Sequence, residues 1–342
     1  ALHALLRKGL ILVDGRAAAP GFRVKAGALI TAPAYTAAEG GPPPPAAAPG
    51  GGLAGGSAFD QTDGFAINRI ILWEDPALLA LNKPAGLAVH PSHRSSYHPS
   101  GASRDNGDSL EGRVRSYLAD KTAPSLSFRP GPLHRLDKPT SGIILFSKSL
   151  AGAQLYSRLF REGKLRKTYL ALLEGKLEGP ALWEEALVRD GTAGKTRALP
   201  EGTGEGGQKR ALTGAAPLAY SPQRGLTLAL IRTGTGRTHQ IRAQASYHGH
   251  PLWGDVKYGG EKRGGFFLHA LSLEFPPGPP ADQGGLPPVL SAPLPAAYKK
   301  EIGALFAPKS VGIAENSGIP GFPQSALLKY GEQLKRIEGR PL

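Results

Sequence analysis

The sequence contains no cysteine and no methionine among its 342 residues. Without cysteine it has no disulfide scaffold, no thiolate metal site and no cysteine nucleophile. The lack of methionine, in a chain that begins at Ala1, leaves three explanations open: a fragment, a processed or engineered chain, or modified residues. No apolar run approaches the roughly 20 residues of a membrane-spanning helix, and the apolar run at the start is too short for a secretion signal. These absences predict a cytoplasmic protein with no membrane partner.

Acidic residues are few in comparison with basic ones, 27 against 41, so the formal net charge is +14. Such an excess says nothing about the fold, but it indicates a polyanionic partner. The 47 glycines and 32 prolines approach the share that is typical of low-complexity chains. Hydrophobic residues nevertheless make up 40% of the chain, which is enough for a sizeable core.

The composition changes along the chain and predicts four segments. Residues 1–33 are basic, and residues 34–67 form a linker whose centre is almost entirely alanine, glycine and proline. Such a tract buries too little apolar surface to offset the entropy cost of ordering. A globular region is predicted at 68–307, followed by a tail at 308–342 with one helix near 325–338.

Strand and helix patterns are mixed within the globular region. Residues 150–162 have helical spacing, which predicts a helix that carries Leu155, Leu159 and Phe160 toward the core. The other predicted elements are strands at 70–73, 78–82, 143–147, 167–173 and 226–232, a helix capped by Asp108 or Ser109, and a short helix from about 238 to 247. Because these patterns lack the regular alternation of a doubly wound parallel sheet, we expect an α+β fold with a largely antiparallel sheet.

The densest group of chemically versatile residues is at 134–142. Asp137 stands there between Arg135 and Lys138, on a loop with proline and glycine that leads into an apolar strand. Loops on a rigid scaffold often carry catalytic residues. A carboxylate beside cations suits nucleophilic or base chemistry rather than acid chemistry. Composition alone favours a surface salt-bridge turn, so these residues by themselves leave both interpretations open.

A second group lies at 233–242, where glycines allow a sharp turn into a helix. The first turn of a helix offers unpaired N–H groups that suit phosphate or carboxylate. Arg237 and Arg242 could each form a bidentate pair with a carboxylate. In the strand at 167–173, Tyr169 alternates with apolar neighbours, a pattern more typical of core packing than of catalysis.

The residues give little support for a metal or a nucleotide cofactor. There are nine histidines, and His248 and His250 are close in sequence, but no acid stands at ligand spacing. No phosphate-binding loop and no dinucleotide fingerprint is found. We therefore expect neither a metal site nor a cofactor.

Five segments stand out for their order along the chain: 81–91, 134–142, 167–175, 237–242 with its continuation through 249–251 and 254–259, and 267–270. In this order they resemble the RluA-type family of RNA pseudouridine synthases, and the match spans about residues 70–275. The resemblance implies a pseudouridine-synthase fold, in which helices flank a mixed, largely antiparallel central sheet. It also implies an isomerase that needs no cofactor or metal.

The resemblance assigns roles residue by residue. Asp137 matches the essential aspartate, Tyr169 the tyrosine that packs against the target base, and Arg242 the arginine that pairs with the aspartate. Leu268 matches the apolar contact to the uracil, and Arg135 the arginine that helps to open the RNA and flip the nucleotide. The remaining expected contacts to RNA or uridine are His134, Lys167, Arg237 and His239.

Residues 1–33 resemble the later part of a small α/β RNA-binding domain that is shared with a ribosomal small-subunit protein, here with its first helix missing or shortened. This attachment favours large-subunit (23S) ribosomal RNA as the substrate, with transfer RNA as the alternative. A non-catalytic RNA-binding or ribosome-assembly protein is a less favoured alternative. We expect a monomer without an obligate protein partner, whose choice of uridine depends on loops that include 91–107 and 191–209.

Overall fold

A computed structural model describes residues 66–91, 109–121, 128–190, 194–200, 208–262, 265–278 and 285–306, together with residues 12–13, 16–17 and 30–31. The chain divides into two compact units, Ala1–Gly64 and Phe65–Leu342. In the first unit, three short strands form an antiparallel sheet with β1 (Leu12–Val13) between β2 (Arg16–Ala17) and β3 (Ile30–Thr31). The tail helix and nearly all of the linker predicted from the sequence lie outside the described residues.

One large sheet organises the second unit. Its eleven described strands are β4 (Ile71–Glu74), β5 (Leu78–Lys83), β6 (Gly131–Pro132), β7 (Ser141–Ser147), β8 (Arg166–Glu174), β9 (Ala181–Asp190), β10 (Lys195–Leu199), β11 (Lys209–Ser221), β12 (Leu226–Thr233), β13 (Leu268–Glu274) and β14 (Val289–Ser291). They follow the order β10-β9-β11-β12-β8-β13-β7-β5-β4, with β14 on β13 and β6 on β7. The pairing of β13 with β7 is parallel, and the other described pairings are antiparallel. The expected mixed, largely antiparallel sheet is thus confirmed.

In the part of the chain that the structure describes, four α-helices pack against this sheet: α1 (Leu110–Leu118), α2 (Leu150–Arg161), α3 (Gln240–Tyr247) and α4 (Ala296–Leu305). The hydroxyls of Ser109 and Ser149 cap the first two helices by accepting backbone N–H groups. The helix predicted from about residue 238 begins two residues later, because His239 adopts a left-handed conformation with φ 53°.

The prediction that Phe160 points into the core is wrong. Phe160 is 43% exposed, and Tyr156, one turn earlier on α2, is buried together with Leu159. The helical spacing correctly marked an apolar face, but the end of that face adjoins a cavity rather than the core.

The core lies on both faces of the central strands. Side chains alternate between the faces of β8, so Leu170 packs with Ile302 of α4 while Ala171 packs with Ile241 of α3. In the other half of the sheet, β5 and β7 pack against α1 and α2. Because both faces are covered, all seven residues of β7 are buried, and this strand is a rigid base for the loop that precedes it.

Gly142 is required where β7 meets β13. Its φ is +108°, and a methyl group on its Cα would overlap the carbonyl of Ala270 in the parallel pairing. We expect Gly142→Ala to lower the free energy of unfolding by about 1–3 kcal/mol or more, measured by denaturant unfolding. Gly179→Ala is the matched control, because nothing lies within 4 Å of its added Cβ. Equal stability of the two variants would contradict this account.

Candidate active site

A cavity of about 250 Å³ opens beside the start of β7, β8 and β13 and the end of β12. Its walls come from the loop before β7, from α2, from the loop between β12 and α3, and from the first turn of α3. All nine site residues predicted from the sequence line this cavity: His134, Arg135, Asp137, Lys167, Tyr169, Arg237, His239, Arg242 and Leu268. Segments that are far apart in the sequence therefore meet at one place.

Asp137 is the carboxylate that faces this cavity. Its Oδ2 atom accepts a hydrogen bond of 3.1 Å from Nη1 of Arg242. Nε2 of His239 lies 3.7 Å from the same oxygen. The Asp137 side chain keeps 13% of its surface exposed, so the carboxylate is held on one side and open to the cavity on the other.

Arg242 is fixed by a second carboxylate, which the sequence did not single out. Its Nε and Nη2 atoms donate to Oδ2 and Oδ1 of Asp255, both at 2.7 Å, in a bidentate pair. Both side chains are buried. Burial disfavours the charged guanidinium, but Asp255 and Asp137 outweigh it and raise the pKa of Arg242 above its usual value. Arg242 therefore stays charged and connects the buried carboxylate of Asp255 to the carboxylate of Asp137, which faces the cavity.

His239 is a neutral neighbour of Asp137. Burial, reinforced by nearby cations, lowers its pKa despite the opposing effect of Asp137. Its Nδ1 lies 2.8 Å from the hydroxyl of Tyr258, which accepts the Thr196 N–H at 2.8 Å. The Tyr258 hydroxyl can donate its proton to Nδ1, and in that tautomer Nε2 carries the ring proton on the side of Asp137.

The loop before α3 is held by the carboxamide of Gln240. Its Nε2 donates to the carbonyl of Leu212 and to the hydroxyl of Thr213, both at 2.9 Å. Its Oε1 accepts from the Thr235 hydroxyl at 2.7 Å and from the Arg237 N–H at 3.0 Å. This buried amide uses its donors and acceptor on both sides of the loop, so it fixes one wall of the cavity to β11.

Lys83 holds the loop around Asp137 in place from the buried side. Its buried Nζ donates to three carbonyls, those of Pro84 at 2.8 Å, Leu87 at 2.9 Å and Lys138 at 3.2 Å. Burial lowers its pKa to about 7, although the nearby Asp137 carboxylate acts in the opposite direction. The Lys138 carbonyl also accepts the Gly86 N–H at 2.8 Å, which joins the segment at 83–87 to the residue after Asp137.

Tyr169 and Leu268 form the apolar side of the cavity. They lie on the neighbouring strands β8 and β13, and Leu268 is buried. Burial and then the Asp137 charge raise the pKa of Tyr169, while a hydrogen bond with Thr233 acts in the opposite direction. The phenol is therefore protonated at neutral pH, and its ring presents an uncharged aromatic surface near the carboxylate.

Residues 77–247 match the family described as RNA pseudouridylate synthase. The chain belongs to this family. The resemblance to RluA-type synthases found in the sequence is thereby confirmed, and the family is one of isomerases that act on RNA.

Several relatives of this synthase are known. An uncharacterized RNA pseudouridine synthase of Bacillus subtilis is 33% identical over 56% of this chain and 57% of its own. Ribosomal large subunit pseudouridine synthase C of Pasteurella multocida is 31% identical over 71% of this chain and 70% of its own. tRNA pseudouridine synthase C of Vibrio parahaemolyticus is 30% identical over 60% of this chain and 83% of its own. The human protein RNA Pseudouridylate Synthase Domain Containing 4 shares the fold, with a TM-score of 0.52 at 22% identity over 70% of this chain and 94% of that one.

The described residues of this synthase contain no group of three histidine or acidic side chains placed to hold a metal ion. Within the same residues, no helix is both long and apolar enough to cross a membrane. The predicted loop at 91–107 lies almost wholly outside the described residues. Of the second predicted loop, 191–209, residues 195–199 form strand β10 instead.

Proposed function

We propose that this synthase isomerises uridine to pseudouridine in structured RNA, with the carboxylate of Asp137 as the catalytic group. One observation carries the proposal. Asp137 faces the cavity, and the charged Arg242, which Asp255 holds in place, binds its carboxylate from the buried side. Among the described lining residues, a buried ion network thus presents a single carboxylate to a space lined otherwise by cations, polar groups and apolar side chains.

The reaction rearranges bonds without a redox change. The N1–C1′ bond breaks, the uracil rotates, a C5–C1′ bond forms, C5 loses its proton and N1 takes one up. Asp137 either attacks C1′ and is later displaced by C5, or removes a proton from C2′ to give a glycal to which the base adds again. Both routes need a carboxylate within reach of the sugar, and neither needs a co-reactant.

The other side chains of the cavity suit complementary roles. The neutral ring of Tyr169 and the side chain of Leu268 would contact the detached uracil, and Arg242 would position Asp137. The target nucleotide has to leave its stack to enter the cavity, and the exposed Arg135 would help to displace it. His134, Lys167, Arg237 and His239 would contact the RNA around the site.

We further propose large-subunit ribosomal RNA as the target, with residues 1–33 contributing a small RNA-binding domain, residues 34–67 a linker and residues 68–307 the catalytic domain. The similarity to a ribosomal large subunit synthase supports this target. The similarity to a tRNA synthase favours transfer RNA as the alternative. A non-catalytic RNA-binding role has less support, because aspartate, tyrosine and arginine are all present and meet in one cavity.

Tritium release tests both parts of the proposal. Transcripts of 23S ribosomal RNA and of transfer RNAs, labelled with tritium at uracil C5, are incubated separately with the full chain. We expect release from the ribosomal transcript. Release from transfer RNA alone would contradict the ribosomal RNA target but support the isomerisation of uridine. Release from neither RNA would overturn the proposed activity.

Arg237 offers a test of the RNA contacts. It is exposed at the mouth of the cavity, where a phosphate contact would release counterions on binding. We expect Arg237→Ala to reduce the slope of log Kd against log salt concentration by about 0.7–1. The control is Arg224→Ala, an exposed arginine in the turn after β11 that does not line the cavity. An equal slope for wild type and Arg237→Ala would remove this residue from the RNA interface.

A further inference from the structure

Three roughly parallel rings form part of the cavity wall, and the proposed chemistry does not explain them. His134 and Tyr156 stack with centroids 6.0 Å apart and planes at 16°. Tyr156 and Phe160 stack in the same way, at 6.1 Å and 9°. We call these three side chains the aromatic ladder. Because Tyr156 and Phe160 are one helical turn apart on α2, the ladder leads along the wall from a buried ring to an exposed one.

Phe160 is the exposed end of the aromatic ladder. It is 43% exposed although it is large and apolar, and it lines the cavity. In the loop between β12 and α3, a Cβ atom added to Gly236 would lie 3.7 Å from Cζ of Phe160. The ring therefore stands at the edge of the cavity, where a base outside the catalytic pocket would meet it. Exposed aromatic rings beside a basic groove are the surfaces on which single-stranded bases stack.

A cation lies beside this ring. Nζ of Lys167 lies 5.1 Å from the ring centroid of Phe160 and 5.7 Å from that of Tyr156. Burial lowers the pKa of Lys167 to about 8, so most of its ammonium groups are charged at neutral pH. Arg135 and Arg237 also line the cavity, whose one acidic lining residue among those described is Asp137. An aromatic ring beside cations matches a nucleotide, which combines a flat base with a phosphate.

The Tyr156 hydroxyl is a buried polar group on the aromatic ladder. Its hydroxyl is buried at the cavity wall and finds no hydrogen-bond partner among the described residues. A buried polar group without a partner is costly, and native structures rarely leave one unless a ligand or water satisfies it. The hydroxyl has almost no exposed surface, so an RNA atom cannot reach it without a movement of the cavity wall.

We propose that Phe160 and Lys167 bind the nucleotide adjacent to the target uridine, with its base against the exposed ring of Phe160 and its phosphate paired with the Lys167 ammonium. This inference rests on the proposed function, because a uridine has to occupy the cavity for its neighbour to reach Phe160. Phe160 would thus place the neighbouring nucleotide whatever its base, because every base offers a π-face to the ring.

Fluorescent RNA provides the test. Three short oligonucleotides each contain a single uridine. They carry the fluorescent base 2-aminopurine directly 5′ of the uridine, directly 3′ of it, or at a distant position. Binding is measured to the full chain carrying Asp137→Asn, so that the RNA stays unreacted. We expect quenching at one of the two neighbours and none at the distant position. Phe160→Leu, which keeps apolar bulk but removes the ring, should abolish the quenching and weaken binding by roughly tenfold. Phe160→Tyr should restore both.

Leu150→Ala is the matched control, because Leu150 is 50% exposed on the same helix but does not line the cavity. It should bind and quench like the Asp137→Asn parent.

Quenching that persists in Phe160→Leu, quenching at neither neighbour, or absence of binding would overturn the inference. Tritium release by the chain with intact Asp137 is measured in parallel. Release without Phe160-dependent quenching would refute this inference alone, whereas no release would refute the proposed function.

Discussion

Asp137→Asn is expected to reduce tritium release from RNA labelled at uracil C5 by roughly 10³-fold or more. An amide has the shape of the carboxylate, and its oxygen can still accept the hydrogen bond from Arg242. It cannot, however, act as a nucleophile toward C1′ or as a base toward C2′. The variant should therefore fold normally and bind RNA as tightly as the wild type, which is measured by filter binding.

A second carboxylate provides the control for this prediction. Asp120 follows α1 at an exposed position and does not line the cavity. Asp120→Asn removes the same charge from the molecule and should release tritium at the wild-type rate. If Asp137→Asn also released tritium at a rate close to wild type, Asp137 would not be the catalytic carboxylate.

Asp255→Ala is expected to lower the free energy of unfolding by about 3–5 kcal/mol, because it leaves the buried Arg242 guanidinium without its bidentate partner. The loss of these two hydrogen bonds of 2.7 Å also frees Arg242 to move. Asp137 then loses its fixed position, so kcat should fall. Asp255 does not line the cavity, and KM for RNA should consequently change much less than kcat.

A double-mutant cycle separates this pairing from a general loss of packing. Arg242→Ala, Asp255→Ala and the double variant are compared by denaturant unfolding. We expect the double variant to be more stable than the sum of the single effects predicts, by about 1–3 kcal/mol. Additive destabilisation together with an unchanged kcat would show that Asp255 does not position Arg242. The kcat of the isosteric Asp255→Asn, which keeps the volume, should also fall.

Local patterns in the sequence predicted the strands that lie at the centre of the sheet. β5, β7, β8 and β12 are apolar runs with clear turn boundaries, and each is found close to its predicted range. The three strands β9 to β11 were not predicted. In β9, charged side chains, most of which are partly or fully exposed, interrupt the apolar pattern that would indicate a strand. In β11, Pro217 stands at a shift in the register, and proline within a run argues against a strand.

Within the site, the sequence could identify residues that cluster locally but not those that meet only after folding. Asp137 and Arg242 stood out because each belongs to a dense polar segment. Asp255 is separated from Arg242 by the end of α3 and the turns at 248–254, so no periodicity links the two. Lys83 ends an apolar strand, where a lysine is ordinarily exposed. Its burial depends on carbonyls of 84–87 and of Lys138 that converge only in the folded chain.

The most direct test of the account compares two products of the same reaction. RNA labelled with tritium at uracil C5 is incubated with the wild-type chain, the released tritium is counted, and the RNA is digested to nucleosides in which pseudouridine is quantified by chromatography. We expect one pseudouridine for each tritium released, and neither product from the Asp137→Asn chain. Tritium release without pseudouridine, or pseudouridine formed equally well by Asp137→Asn, would contradict it.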